Sequence, residues 1–562
     1  MTLMSGADIV LESLKRLGVD TVFGYPGGVV LPLYDRFPAH PEIRHILVRH
    51  EQGAGHAADG YARASGKLGV ALATSGPGAT NLVTAITTAH MDSVPTLFIT
   101  GNVGRELLGR DGFQEADITG ITMPIVKHNY LVMRAADIAY AFAEAAYIAT
   151  TGRKGSVHID IPKDVFLEKA EFVWPEQISI RGYQPQTTGA TALIEQAAEV
   201  IDAAERPVIF AGHGIILGEA SEELRAFAEK TGTPILNTLL GLGSISPDHA
   251  LAYGMMGMHG SYWANHAASN ADVIIALGMR MDDRALGRFA DMNPTAKIVH
   301  VDIDPAEHEK NLPTLVPIVG DVKVVIPQLT AAVASKSHAE WVRWIDDLRN
   351  GHRASMSIPT GNDMTQQYVI SKIAEFIGPE AVLTTGVGQH QMWAAQFGNI
   401  SRPYQLITSG GLGTMGFEVP AAMGAAVACP DRAIWTICGD GGFQMTFQEI
   451  ATMVDENLPV KMAIMNNGFL GMVRQWQEMF YANNYVAVAM SQPDFLKLAE
   501  AYGIHGIRVT DRSQMDQALK DAAAYNGPVI IDFRVEAEGN VFPMVPAGAS
   551  LSETIEAPQK VH

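Results

Sequence analysis

Cys438-Gly439-Asp440-Gly441-Gly442-Phe443 is the stretch from which the rest of the chain can be read. Ahead of it, Ala433 to Cys438 is a short apolar run that reads as a buried strand. An aspartate at a strand end, followed by two glycines, points a carboxylate where backbone can approach a ligand closely. A helical segment from Phe447 to Val454 follows. A second apolar run, Val460 to Met465, then ends in Asn466-Asn467. In a parallel sheet both strand ends fall on one edge. One carboxylate, one amide oxygen and a loop carbonyl could gather there. Hard oxygen ligands, few in number, suit a Mg2+ ion that keeps water and binds substrate phosphates. The plainer alternative is a turn with a solvated aspartate and an ordinary Asn-Asn loop.

Outward from this point, short apolar runs alternate with helical patterns. Examples are Val70–Ala73, Thr96–Ile99, Val157–Asp160, Val208–Phe210, Val273–Leu277, Ile298–Val301 and Val529–Ile531. That alternation predicts doubly wound parallel sheets, an α/β fold. At 562 residues the chain exceeds one core. Two stretches without clear period, 172–188 and 349–364, read as linkers. They divide the chain into three α/β domains, about 1–170, 190–335 and 365–545. A net charge of -20 argues against nucleic acid or an anionic membrane as partner. Two cysteines, Cys429 and Cys438, allow no disulfide framework and no cysteine zinc site, which fits a reducing compartment. The start of the chain lacks a basic-then-apolar signal, and no run is long enough to span a membrane; the expectation is cytoplasmic.

In the first domain, Gly24-Tyr25-Pro26-Gly27-Gly28 follows a strand and allows a tight turn or close approach of a ligand. Glu51 follows another strand and opens a helix rich in Gly and Ala, whose small residues let another surface pack close. Glu51 is expected to be buried, with its pKa raised unless a donor or a cation meets it; a first-turn acid favoured by the helix dipole is the alternative. His50 and His56 are not a metal pair, because six residues on a helix place them on different faces. Gly60 to Lys67 fails the P-loop spacing. Gly411-Leu412-Gly413-Thr414-Met415-Gly416 is a literal GxGxxG and leaves a dinucleotide reading open. In the middle of the chain, Gly212, Gly278, Arg280, Asp302, Asp304 and Asp321 all follow or end strands, a set that suits a nucleotide cofactor.

Gly439-Asp440-Gly441 with Asn466-Asn467 resembles the diphosphate–Mg2+ motif of thiamine diphosphate (ThDP) enzymes. With Glu51 in view, the chain from Ser5 to Glu556 resembles the catalytic large subunits of acetohydroxyacid synthase, also called acetolactate synthase. The motifs that carry this are Gly24–Gly28, Arg49–Gln52, Thr74–Asn81, Phe113–Asp117, Met255–Gly260, Arg280–Arg284, Gly388–Trp393, Gly410–Gly416, Gly439–Phe443, Gly471–Trp476 and Pro543–Pro546.

The resemblance implies that Glu51 bonds the pyrimidine ring of ThDP, with Gly27, Phe113 and Gln114 beside it at the reacting centre and Pro26 and Thr74 on the cofactor. It implies Asp440, Asn467 and the Phe469 carbonyl as Mg2+ ligands. Gln389, His390, Gly441 and Gly442 would hold the diphosphate, and Leu470, Gly471 and Met472 would line the same end. Met415 would wedge under the cofactor and Gly413 would offer a carbonyl. FAD would lie on Arg153, Gly212, His259, Gly278, Arg280, Asp302, Ile303 and Asp321. Arg284, Trp476 and Met255 would receive the substrate. The implied activity decarboxylates pyruvate and transfers the hydroxyethyl unit to a second 2-keto acid, pyruvate or 2-ketobutyrate, giving 2-acetolactate or 2-aceto-2-hydroxybutyrate for branched-chain amino acid biosynthesis. The implied assembly is a homodimer or homotetramer with active sites between subunits, with room for a small regulatory subunit. A pyruvate oxidase-type ThDP/FAD oxidoreductase is the alternative from another class. Two residues depart from the family pattern: Glu418 stands where glycine is usual, and Met281 where phenylalanine is usual.

Overall fold

The computed structural model describes residues 3–557; Met1 and Thr2 of the amino-terminal stretch lie outside the described residues. The apolar runs form three six-stranded sheets in which every neighbouring pair is parallel. Central strands such as Gly69–Ala73, Val273–Leu277 and Ile434–Gly439 are buried nearly throughout, because helices cover both faces.

The first sheet runs Arg44–Leu47, Thr21–Gly24, Gly69–Ala73, Thr96–Asn102, Ser156–Pro162, His128–Leu131 across its width. The last runs Leu406–Thr408, Val382–Thr385, Ile434–Gly439, Lys461–Asn466, Val529–Arg534, His505–Val509. Counted in chain order within each sheet, both have their second strand at one edge, then the first, third, fourth, sixth and fifth. The two outer domains therefore share one topology. The middle sheet runs Ala252–Met255, Ile235–Asn237, Pro207–Ala211, Val273–Leu277, Lys297–Asp302, Val316–Val319, which is the dinucleotide-fold order. Each sheet has a point where the strand order reverses, and ligands bind outside the strand ends there.

The first and last domains meet through two helices, Glu51–Ser65 and Glu418–Ala428. The contact face is Ala54, Ala57, Ala58 and Gly60 against Ala421, Ala422, Gly424 and Ala425, all buried. Backbones come so close that a Cβ on Gly424 would sit 1.9 Å from the Ala57 carbonyl, and one on Gly60 would sit 2.2 Å from that of Ala421. The Gly/Ala-rich helix thus packs as its sequence predicts.

The first polar stretch, 172–188, is irregular apart from one bridge between Ile180 and Tyr183. The second opens inside a helix, Ala339–His352, that buries Trp341 and Ile345 against the middle domain; only 357–364 has no helix or strand. Past the last sheet the chain returns to the middle domain. Val545, Ala549 and Leu551 pack there, and the Val545 N–H donates to the Met258 carbonyl at 2.7 Å.

Candidate active site

Asp440 stands at a strand end, as its sequence predicts, but it opens a helix instead of a loop. The strand Ile434–Gly439 delivers Asp440 to the first turn of a helix, Asp440–Thr446. Its carboxylate is 2% exposed. One oxygen accepts the Gly468 N–H at 2.7 Å and the other accepts the Gly441 N–H at 2.9 Å. Burial still outweighs these bonds and pushes the carboxyl up to about 6. Asn467 lies in the same turn, its Oδ1 accepting the Phe469 N–H at 3.0 Å. A Cβ on Gly471 would meet Gln389 Oε1 at 2.2 Å and Asn467 Nδ2 at 3.0 Å, so these groups converge on one spot.

Several buried polar atoms around that spot have no protein partner. They include Gln389 Oε1 and His390 Nε2. Gln389 is held by its other end, Nε2 donating to Gln475 Oε1 and to the Gly539 carbonyl. Burial pushes His390 down to about 4, so it is a neutral ring. Gly388, at φ 146, makes the turn that a side chain would oppose. A buried carboxylate with no cation, an amide, free backbone and neutral donors fit a Mg2+–diphosphate group. Among the described residues no three His, Cys, Asp or Glu side chains form a metal cage; the site instead leaves most of the ligand positions to phosphate and water. Leu470 and Met415 both approach Gly441, whose Cβ would meet them at 2.9 and 3.8 Å. Gly413 sits at φ 73 in the loop above. In the GxGxxG stretch these residues face the Asp440 loop.

The Ser409–Gly413 loop is seated from the first domain by a buried triad. Arg63 donates to Asp59 at 2.6 Å, to Asp92 at 2.8 Å and to the Thr408 carbonyl at 3.0 Å. Asp92 in turn accepts the N–H groups of Gly410 and Gly411 at 3.0 and 2.6 Å. Sequence reading missed this clamp, since Asp92 carries no spacing signal.

A cavity of about 710 Å3 runs from this loop into the middle domain. At one end it is lined by Arg153, His259, Gly278, Arg280, Asp302, Ile303 and Asp321. Those residues surround the order reversal of the middle sheet, between Pro207–Ala211 and Val273–Leu277. Gly212 lies beside rather than on the cavity wall: a Cβ there would meet the Gly278 carbonyl at 2.2 Å. Asp302 is buried and pushed up to about 7, an acceptor suited to hydroxyl groups. Arg153 bridges Asp304 and Glu307 at 3.2 and 2.7 Å. Buried His259 Nδ1 has no partner. A long cavity with a strand-switch floor fits a flavin dinucleotide. Met281 is buried in the middle-domain core, 4% exposed.

At the other end the cavity meets Met255, Arg284, Gly413, Met415, Met472 and Trp476. The Arg284 guanidinium lies 5.9 Å from the centre of the Trp476 ring. A half-exposed cation beside an aromatic wall suits a small carboxylate with an apolar tail.

The first-domain residues gather elsewhere. Glu51 Oε2 accepts from Asn81 Nδ2 at 2.9 Å. A Cβ on Gly78 would meet Glu51 Oε1 at 3.2 Å and Thr74 Cγ2 at 2.7 Å, and one on Gly27 would meet Thr74 at 2.5 Å. Gln114, at φ 58, backs onto Gly76. These residues ring the order reversal of the first sheet. Glu51 is half-buried rather than fully buried, and the donor that meets it is Asn81. Phe113 is 88% exposed. None of Pro26, Gly27, Glu51, Thr74, Phe113 and Gln114 lines the large cavity of the same chain. Of the rejected motifs, His50 caps its own helix by accepting the Gln52 N–H at 3.1 Å, and His56 is buried edge-on to Phe417.

Three family descriptions match. "Thiamine pyrophosphate enzyme, N-terminal TPP binding domain" covers residues 4–121, the central domain of the same family 194–329, and its "C-terminal TPP binding domain" 386–533. Acetolactate synthase of Mycobacterium bovis is 50% identical over 98% of this chain and 91% of its own length. The acetolactate synthase large subunit of Corynebacterium glutamicum is 49% identical over 98% and 90%. That of Porphyra purpurea is 44% identical over 98% and 95%. With half of its residues shared along nearly the full length, and with all three domain descriptions matched in order, the chain belongs to the thiamine pyrophosphate enzymes and, within them, to the acetolactate synthase large subunits.

Proposed function

We propose that this acetolactate synthase family member, a ThDP-dependent transferase of aldehyde residues, builds each active site from two copies of its own chain. The observation that carries this is that the two sets of residues gather at the strand-order reversals of two different sheets. One edge holds Glu51, Thr74, Gly27 and Gln114. The other holds Asp440, Asn467, Gln389 and Met415, and of these Met415 lines the cavity where Arg284 and Trp476 stand. Because the two outer domains share a topology, a two-fold axis can bring each edge onto the other's counterpart. The same axis gives a reason for the exposed Phe113.

ThDP, when bound, supplies the electron sink that lets a 2-keto acid lose CO2 and pass on its two-carbon unit. Asp440, Asn467 and the Phe469 carbonyl hold Mg2+ against the diphosphate. Gln389, His390, Gly441 and Gly442 bind the phosphate oxygens, with Leu470, Gly471 and Met472 closing the loop. Glu51, oriented by Asn81, holds and exchanges the proton at the pyrimidine end. Gly413 and Met415, which line the cavity beside this loop, would contact the cofactor between its two ends. Arg284 takes the carboxylate of the 2-keto acid by charge-assisted bonds. Trp476 and Met255, with Phe113 and Gln114 of the second copy, shape the apolar pocket for its methyl or ethyl group and keep water out. FAD fits the remaining length of the cavity on Arg153, Gly278, Arg280, Asp302 and Asp321.

The relatives named as large subunits lead us to expect a smaller companion subunit. No helix among the described residues is long and apolar enough to cross a membrane. The test is incubation with pyruvate, with and without ThDP, Mg2+ and FAD. The reading predicts acetolactate that requires ThDP and Mg2+, and flavin bound to the protein. Acetate formed with consumption of an electron acceptor would replace it with the oxidase reading.

A further inference from the structure

Glu418 is the first residue of the helix that packs against the amino-terminal domain, and its side chain is fully buried. The helix start alone would favour a carboxylate. Yet neither carboxyl oxygen has a hydrogen-bond partner. The N–H groups of Gly416 and of Glu418 itself face the carboxyl but do not reach bonding geometry. The carboxyl lies between two glycines. A Cβ on Gly386 would fall 2.5 Å from its carbon, and one on Gly442 would fall 2.6 Å from Oε1. Gly386 ends the strand Val382–Thr385, and Gly442 follows Asp440 after the strand Ile434–Gly439. Glu418 therefore fills the floor of the order reversal in the last sheet, beneath both loops assigned above to the cofactor diphosphate.

We propose that Glu418 is a positioning residue for the diphosphate end of the cofactor: as the neutral acid it wedges the Gly386–Gly388 and Gly441–Gly442 loops at the spacing that binds phosphate, and its ionisation weakens that binding. This deepens the ThDP reading and rests on it. An unpaired buried carboxylate is strongly disfavoured, so the acid form is the one that the packing accepts. Burial pushes the group up to about 7, within reach of ordinary pH. A diphosphate held by the same loops carries more negative charge than its Mg2+ neutralises, and the remainder raises the group further. The proton thus favours cofactor binding. Affinity is greatest below about pH 7 and declines as pH rises through it.

Other ionisable groups on the elements around this helix do not duplicate the effect. Cys438 is held as the thiol by burial and by Glu418 itself. His56 and His390 are pushed down to about 3 and 4 and stay neutral. Arg63 is paired with Asp59 and Asp92. Tyr61 donates to Asp20. Asp440 is expected to be claimed by Mg2+. Glu449 is the one rival, since burial also pushes it up to about 7. It faces the other way, accepting the N–H groups of Arg49 and His50 and the Thr452 hydroxyl.

The experiment titrates ThDP at saturating Mg2+ into the cofactor-stripped full-length protein and follows binding by calorimetry or tryptophan quenching, between about pH 6 and pH 8.5. For the unaltered protein the expected result is an affinity roughly tenfold weaker at the upper end. For Glu418→Gln, which keeps the wedge without the charge, the expected result is a decline no larger than about twofold. A decline in Glu418→Gln equal to that of the parent would overturn the proposal. So would a decline abolished by Glu449→Gln but not by Glu418→Gln. If the unaltered protein binds no ThDP at any pH, the cofactor reading itself falls, which is a different failure.

Discussion

Glu51 and Trp476 show how far a single residue can be read. Glu51 was legible as an acid opening a small-residue helix after a strand. Its partner was not, because Asn81 reaches it from the end of a short helix, Pro77–Asn81, and no spacing rule links positions 51 and 81. An amide donor on one oxygen leaves the other free to meet a ring nitrogen. Glu51→Gln should therefore lower acetolactate formation by about 10²- to 10⁴-fold, the usual worth of a positioned acid–base group, while ThDP still binds; unchanged turnover would remove Glu51 from its role. Trp476 was legible only through the family pattern, since a lone tryptophan on a helix is as readily core. The structure puts it at the cavity mouth with Arg284 over its ring. In competition between pyruvate and 2-ketobutyrate as acceptors, Trp476→Leu should shift the product ratio by about tenfold, one methylene's worth of contact. A ratio that does not move would place the acceptor elsewhere.

At the scale of elements, strands read well and helix contacts read in part. Buried parallel strands are continuous apolar runs, so Ile434–Gly439 and Lys461–Asn466 fall within a residue or so of the sequence reading. The run at 447–454 divides into a tight turn, Phe447–Glu449, and a helix, Ile450–Asp455. That division lets Glu449 bond the backbone ahead of the Glu51 helix, a long-range demand invisible to local periodicity. The Ala/Gly face of the Glu51 helix predicted a close neighbour but could not name it. The neighbour is the Glu418 helix, and Gly424 is its tightest point. Gly424→Ala should cost about 3 kcal/mol, because the obstacle is the Ala57 carbonyl and backbone yields little. The melting midpoint should fall by roughly 5 °C or more; an unchanged midpoint would mean that the two helices separate freely.

At the scale of the whole molecule, three doubly wound domains were legible from alternation alone, because each βα unit repeats the same pattern. The identity of the two outer topologies was not, since strand order is set by which helices pack on which face, and that leaves no mark in composition. The order carries the functional argument. It places Glu51 and Asp440 at strand ends of two different sheets that share one topology. On the proposed reading a second copy of the chain joins them. Co-expression of the Glu51→Gln chain with an Asp440→Ala chain, each inactive alone, tests this most directly. Mixed dimers would contain one site with both substitutions and one with neither, so random pairing should restore about one quarter of the parent's ThDP-dependent acetolactate formation. Activity that stays at the level of the two single variants, despite mixed dimers shown by differential tagging, would contradict the account.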